Sequence, residues 1–106
     1  MRYLKLPSIL IVTKIVFTNE ATNELISQAS YIFKQTKNAE NADSYLDDIK
    51  EFIISTLSMF PKAGRPVESF GKGIRKLVYQ RYSILYIIKY NYIVILMIFR
   101  ENLPHA

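Results

Sequence analysis

Residues 74–99 read Ile74-Arg75-Lys76-Leu77-Val78-Tyr79, Gln80-Arg81-Tyr82, Ser83-Ile84-Leu85-Tyr86-Ile87-Ile88, Lys89-Tyr90-Asn91 and Tyr92-Ile93-Val94-Ile95-Leu96-Met97-Ile98-Phe99. Three runs rich in β-branched and aromatic residues, parted by short polar joints, predict three strands over 74–79, 83–88 and 92–99. Joints this short are hairpin connections, so the three form an antiparallel meander. In the first strand Arg75, Leu77 and Tyr79 share one side, and Ile74, Lys76 and Val78 share the other. Neither side is purely apolar, as expected near a functional edge.

Upstream, the thirteen residues Pro61 to Gly73 hold two prolines and three glycines and predict a loop with turns. Before the loop the apolar period changes from two to between three and four. Ala42, Tyr45, Leu46, Ile49, Phe52, Ile53, Thr56 and Leu57 form one stripe, ended at Met59-Phe60 because Pro61 disfavours helical geometry in the residue before it. Ala21, Leu25, Ile26, Ala29, Ile32 and Phe33 form an earlier stripe, running to about Lys34. Thr18-Asn19-Glu20 and Lys37-Asn38-Ala39-Glu40-Asn41 supply the N-caps, and Lys14-Ile15-Val16-Phe17 is a short β-prone run. The expected class is α+β in the order β-α-α-β-β-β: a small antiparallel sheet with an N-terminal helical hairpin packed on one face. The other face is left to solvent or a partner.

A chain of 106 residues, half of them apolar, makes one domain. It contains no Cys, and its single His is His105, which excludes disulfides, thiolate catalysis, His-based triads and multi-histidine metal sites. No cofactor or metal is expected. Residues 1–60 carry six Lys/Arg against seven Asp/Glu, whereas residues 61–106 carry eight against two, so the net +5 resides in the C-terminal part. A one-sided field of this kind attracts nucleic acid or an acidic protein segment. The N-terminal apolar run Ile9–Val12 is far short of the roughly 20 residues a membrane span requires, and no cleavage site follows. A cytoplasmic protein without membrane contact is expected.

The order of elements and particular residues within it resemble the RelE/ParE superfamily of bacterial toxins from type II toxin–antitoxin modules. The resemblance runs through Ile15-Val16-Phe17-Thr18 with Ala21 and Leu25, then Tyr45-Leu46 with Ile49 and Leu57. Its most recognisable piece is Pro61-Lys62-Ala63-Gly64-Arg65. Gly71-Lys72-Gly73-Ile74-Arg75-Lys76-Leu77, Arg81-Tyr82-Ser83-Ile84-Leu85-Tyr86-Ile87 and Ile93-Val94-Ile95-Leu96 follow in the family's order. Residues 1–13 lie outside it, as an N-terminal extension ahead of a single toxin domain over 14–106.

The resemblance implies a toxin held inactive by a co-expressed antitoxin, here expected to be acidic to complement residues 62–81. RelE-like members of the superfamily cut messenger RNA in the ribosome. ParE-like members inhibit DNA gyrase without nuclease chemistry. Many relatives carry His where Arg100 stands, and often another Arg where Asn102 stands. With a pKa of about 12 or above, Arg100 can clamp a phosphate but shuttles protons poorly. That departure favours the ParE-like branch, with DNA gyrase as partner and with Arg65, Lys72, Arg75, Lys76, Arg81 and Arg100 as target- or partner-binding residues. Two alternatives stay open. One is a RelE-like endoribonuclease acting on ribosome and mRNA, with Arg65, Arg75 and Arg100 catalytic; the other is an inactive relic that only binds antitoxin. Structural roles stay open too: Arg65 tying the loop to Asp47, Asp48 or Glu51, Arg75 spanning the sheet, and the tyrosines between 79 and 92 serving as strand residues rather than a base-stacking platform.

Overall fold

The computed structural model describes residues 14–100. The expectations for the extension 1–13 and for His105 lie outside the described residues. Strand β1 (Lys14–Phe17) leads into helices α1 (Asn19–Thr36) and α2 (Ala39–Met59). A short β2 (Arg65–Pro66), a 3₁₀ turn over Glu68–Phe70, and strands β3 (Ile74–Tyr79), β4 (Tyr82–Ile88) and β5 (Tyr92–Arg100) follow. The α+β class and the meander stand as expected, with two refinements. The loop after Pro61 contributes its own strand, β2, pairing Arg65 with Lys76 and Pro66 with Arg75. The sheet is also mixed: in the order β1-β5-β4-β3-β2, β1 lies parallel to β5 while every other pair is antiparallel.

Local chemistry accounts for the helix ends. The Thr18 hydroxyl accepts from the Ala21 N–H at 3.1 Å, and Asn38 Oδ1 accepts from Asn41 N–H at 3.2 Å, each satisfying a donor that the first helical turn leaves unpaired. Lys37 closes α1 in the left-handed conformation (φ 57°) with its N–H on the Phe33 carbonyl. Between the helices and the sheet lie Leu25, Ile49, Ile53 and Leu57 against Ile84, Tyr86, Ile93, Ile95 and Ile98, all at most 1% exposed. Burying each such aliphatic side chain contributes about 1.5–3 kcal/mol. Tyr45 packs on Tyr82 and Phe52 on Tyr79, with ring centroids 5.5 and 4.4 Å apart, which anchors α2 over the β3–β4 turn.

The first stripe is narrower than its sequence suggests: Ala21, Leu25 and Ala29 are buried, but Ile26 and Phe33 are exposed. They border a groove between the helices, together with Ala29, Ala42 and Leu46. The second sheet face is not wholly open either. Ser83 and Leu85 alternate with core residues and so point away from the helices, yet both are buried. The 3₁₀ turn sets Phe70 against Phe99, the cross-strand neighbour of Ser83, with centroids 6.4 Å apart. A bulge explains why Ile93 and Ile95 share the core with Ile98: Tyr86 pairs with Ile95 but Leu85 with Met97, so Leu96 is the extra residue that shifts the phase.

Candidate macromolecular interface

Pro61-Lys62-Ala63-Gly64-Arg65 crosses from the end of α2 to the sheet margin and is pinned there by two side chains from the sheet. Tyr86, fully buried on β4, donates its hydroxyl to the Pro61 carbonyl at 2.8 Å and accepts the Gly64 N–H at 2.9 Å. Arg75 on β3 donates from Nε to the Gly64 carbonyl at 2.8 Å and from Nη2 to the Lys62 carbonyl at 3.3 Å. Gly64 leaves no room for a side chain: a Cβ there would stand 2.7 Å from the Lys76 carbonyl oxygen. Side chains thus satisfy backbone groups that the loop cannot pair for itself.

The arginine that ties the loop is therefore Arg75, and it holds backbone carbonyls rather than a helix carboxylate. Arg65 is left exposed on β2 directly opposite Lys76 of β3. Cross-strand neighbours share a face of the sheet, so the two cationic residues stand side by side there. Lys72 is exposed just before β3, Arg81 is exposed in the turn after it, and Lys62 is exposed in the loop. These cations stand along a margin of about 20 Å, the length of a six-residue strand. Tyr79, Tyr82 and Tyr86 face the helices as structural residues, whereas Tyr90 is almost fully exposed in the β4–β5 turn.

Arg100 stands apart, opposite Tyr82 at the far end of β5. Arg75 pairs with Tyr86, four residues along β4 and on its other side, so about 16 Å of sheet separates the two arginines. Beside Arg100 the Tyr45 hydroxyl is buried, close to that of Tyr82 but outside hydrogen-bond geometry. Burial above all, then the neighbouring Tyr82 and Glu24, raises its pKa well beyond the usual tyrosine range; Arg100 opposes the shift. Sequence reasoning missed Tyr45 as a member of this cluster because its place in the α2 stripe marks it only as a packing residue. Among the described residues no group of three or more His, Cys, Asp or Glu is placed to hold a metal ion. Among them also, no helix is long and apolar enough to cross a membrane.

A helical hairpin roofs a five-stranded sheet, and a Pro-x-x-Gly-Arg loop is stapled to its basic margin. The family described as the ParE toxin of type II toxin–antitoxin systems, parDE, matches residues 15–102, and the chain belongs to it. Among solved structures, a chain titled "Chromosomal ParDE TA system from P. aeruginosa" is similar in fold. It superposes with a TM-score of 0.68 at 23% identity, over 85% of this chain and 96% of that one. No curated protein matches the sequence.

Proposed function

We propose that this chain acts in the cytoplasm as the toxin of a type II toxin–antitoxin module, inhibiting DNA gyrase by binding it, and that an acidic cognate antitoxin neutralises it. The observation that carries the reading is the division of roles between two arginines. Arg75 is committed to the carbonyls of Lys62 and Gly64, while Arg65 is exposed beside Lys76 on a margin shared with Lys72 and Arg81. A rigid cationic margin favours fast, oriented encounter with an acidic macromolecular surface. The groove between α1 and α2, bordered by Ile26 and Phe33 and about 340 Å³ in volume, suits an apolar helix of the antitoxin. The endoribonuclease reading draws less support. It needs Arg65, Arg75 and Arg100 around one phosphate, while Arg75 is held by the loop and Arg100 lies about 16 Å off along the sheet.

Brief induction in growing cells tests the reading. Loss of DNA synthesis with an SOS response, and inhibition of purified gyrase supercoiling, are expected. Prompt collapse of translation with cleaved messages on purified ribosomes overturns it in favour of the endoribonuclease, and growth without defect overturns it in favour of a relic.

A further inference from the structure

Helix α2 ends in two large apolar residues that the fold leaves in solvent: Met59 is 72% exposed and Phe60 62%. The turn that follows is not loose. The Phe60 carbonyl accepts the Ala63 N–H at 2.9 Å, closing a β-turn, and the Phe60 N–H donates to the Thr56 carbonyl at 2.7 Å. Pro61, in the middle of the turn, is buried, and its carbonyl is taken by the Tyr86 hydroxyl. Arg75 holds the next carbonyl, that of Lys62. Met59, Phe60, Lys62 and Ala63 are therefore exposed on a backbone fixed from both sides. Residues 52–67 contain no acidic residue, while Lys62 and Arg65 stand exposed among them. Single exposed hydrophobics are ordinary on a protein surface. Two adjacent large ones, on a constrained turn rimmed by cations, make an anchor that loses little freedom on binding.

We infer that Phe60, with Met59 beside it, enters an apolar pocket of the toxin's target protein, and that acidic residues rim this pocket and meet Lys62 and Arg65. The inference rests on the gyrase reading above and names the surface with which the toxin grips that target. A desolvated aromatic at the centre supplies affinity, and the charges around it supply orientation and encounter rate. Other occupants fit less well. The apolar groove assigned to the antitoxin reaches along α2 only to Leu46. From Leu46 to Met59 the helix rises about 20 Å, so an antitoxin helix in that groove leaves the turn free. A second copy of the chain would pair the patch with itself and set Lys62 and Arg65 against their like.

Inhibition of supercoiling by purified gyrase, with the full-length toxin, is the test. Phe60→Ala and Met59→Ala are each expected to raise the inhibitory toxin concentration, Phe60→Ala at least tenfold, with Phe60→Leu recovering most of that loss. Lys62→Glu leaves both apolar residues in place and is expected to weaken inhibition most at low ionic strength. All four variants change solvent-exposed side chains and are expected to keep the wild-type thermal midpoint. The two alanine variants are also expected to bind the cognate antitoxin, the neighbouring reading frame whose expression restores growth, as tightly as wild type does. Wild-type inhibition by Phe60→Ala and Met59→Ala overturns the proposal and leaves the toxin reading intact. A matching loss of antitoxin affinity also overturns it, by giving the turn to the antitoxin, as does a toxin dimer that Phe60→Ala dissociates. If the wild-type toxin does not inhibit gyrase, the gyrase reading falls first and the anchor proposal with it.

Discussion

Gly64 donates its backbone N–H to the Tyr86 hydroxyl at 2.9 Å, joining residues 22 positions apart. The contact is possible because Gly64 has no Cβ: one would press against the Lys76 carbonyl and lie 2.8 Å from the Tyr86 ring. This pairing seats the loop on the sheet and turns Arg65 outward.

Gly64→Ala is expected to destabilise the fold by about 2–3 kcal/mol, because the clash is with backbone and a buried ring that have no room to yield. Urea denaturation checks it; an unaltered midpoint would mean the loop is not held against the sheet.

Tyr86→Phe keeps the ring and removes the hydroxyl that serves both Gly64 and Pro61. Two buried backbone groups lose their partner, at an expected cost of about 2–3 kcal/mol. A calorimetric midpoint within a degree of wild type would contradict the pinning role.

Arg65 and Arg75 are expected to separate by phenotype. Arg75→Ala loosens the loop and lowers stability by about 1–2 kcal/mol. Arg65→Ala leaves stability within about 0.5 kcal/mol yet lowers the association rate with gyrase or antitoxin, most visibly at low ionic strength. Stopped-flow mixing at two salt concentrations distinguishes them, and equal binding by Arg65→Ala and wild type would remove Arg65 from the interface.

Gln80, first residue of the β3–β4 turn, holds φ at 55°, a region that favours glycine. Gln80→Gly is expected to stabilise the fold by about 0.5–1 kcal/mol or leave it unchanged, since relief of left-handed strain offsets the added freedom of the unfolded chain. A loss above about 1 kcal/mol would mean the glutamine side chain supports the turn.

Tyr45 is expected to stay neutral in the native protein where an ordinary tyrosine, with a pKa of 10.0, ionises. Its native pKa is raised, so its contribution to stability is complete below about pH 10 and is lost as the pH climbs above that toward the native value. Ultraviolet titration of wild type and Tyr45→Phe measures this. A Tyr45 that ionises with the exposed tyrosines would show that water reaches it.

Much of the architecture is legible along the chain because it rests on local periodicity. The strand over 74–79 coincides with β3, and α2 stops at Met59 as Pro61 dictates. The run 92–99 is also recognisable as a strand, but its phase is not: Ile93 to Phe99 is apolar at every position, so no alternation announces the bulge at Leu96. The two-residue β2 escapes detection because a strand that short has no period of its own. Within the Pro-x-x-Gly-Arg motif the residue types can be seen, whereas their roles cannot, since Gly64 is held by a tyrosine 22 positions away.

Sequence by itself determined the α+β class, the helical hairpin, the meander, the concentration of positive charge after residue 61, and the likeness to a toxin family, all of which follow from residue type and near-neighbour spacing. Three outcomes emerge only on folding: β1 runs parallel to β5 and, among the described residues, pairs with it no further than Ile95; Arg75 is a staple while Arg65 is presented outward; and Tyr45 is buried beside Arg100. The physical reason is that these outcomes depend on which distant backbone groups find partners once the sheet closes, and hydrogen-bond satisfaction between remote segments leaves no periodic trace in the chain.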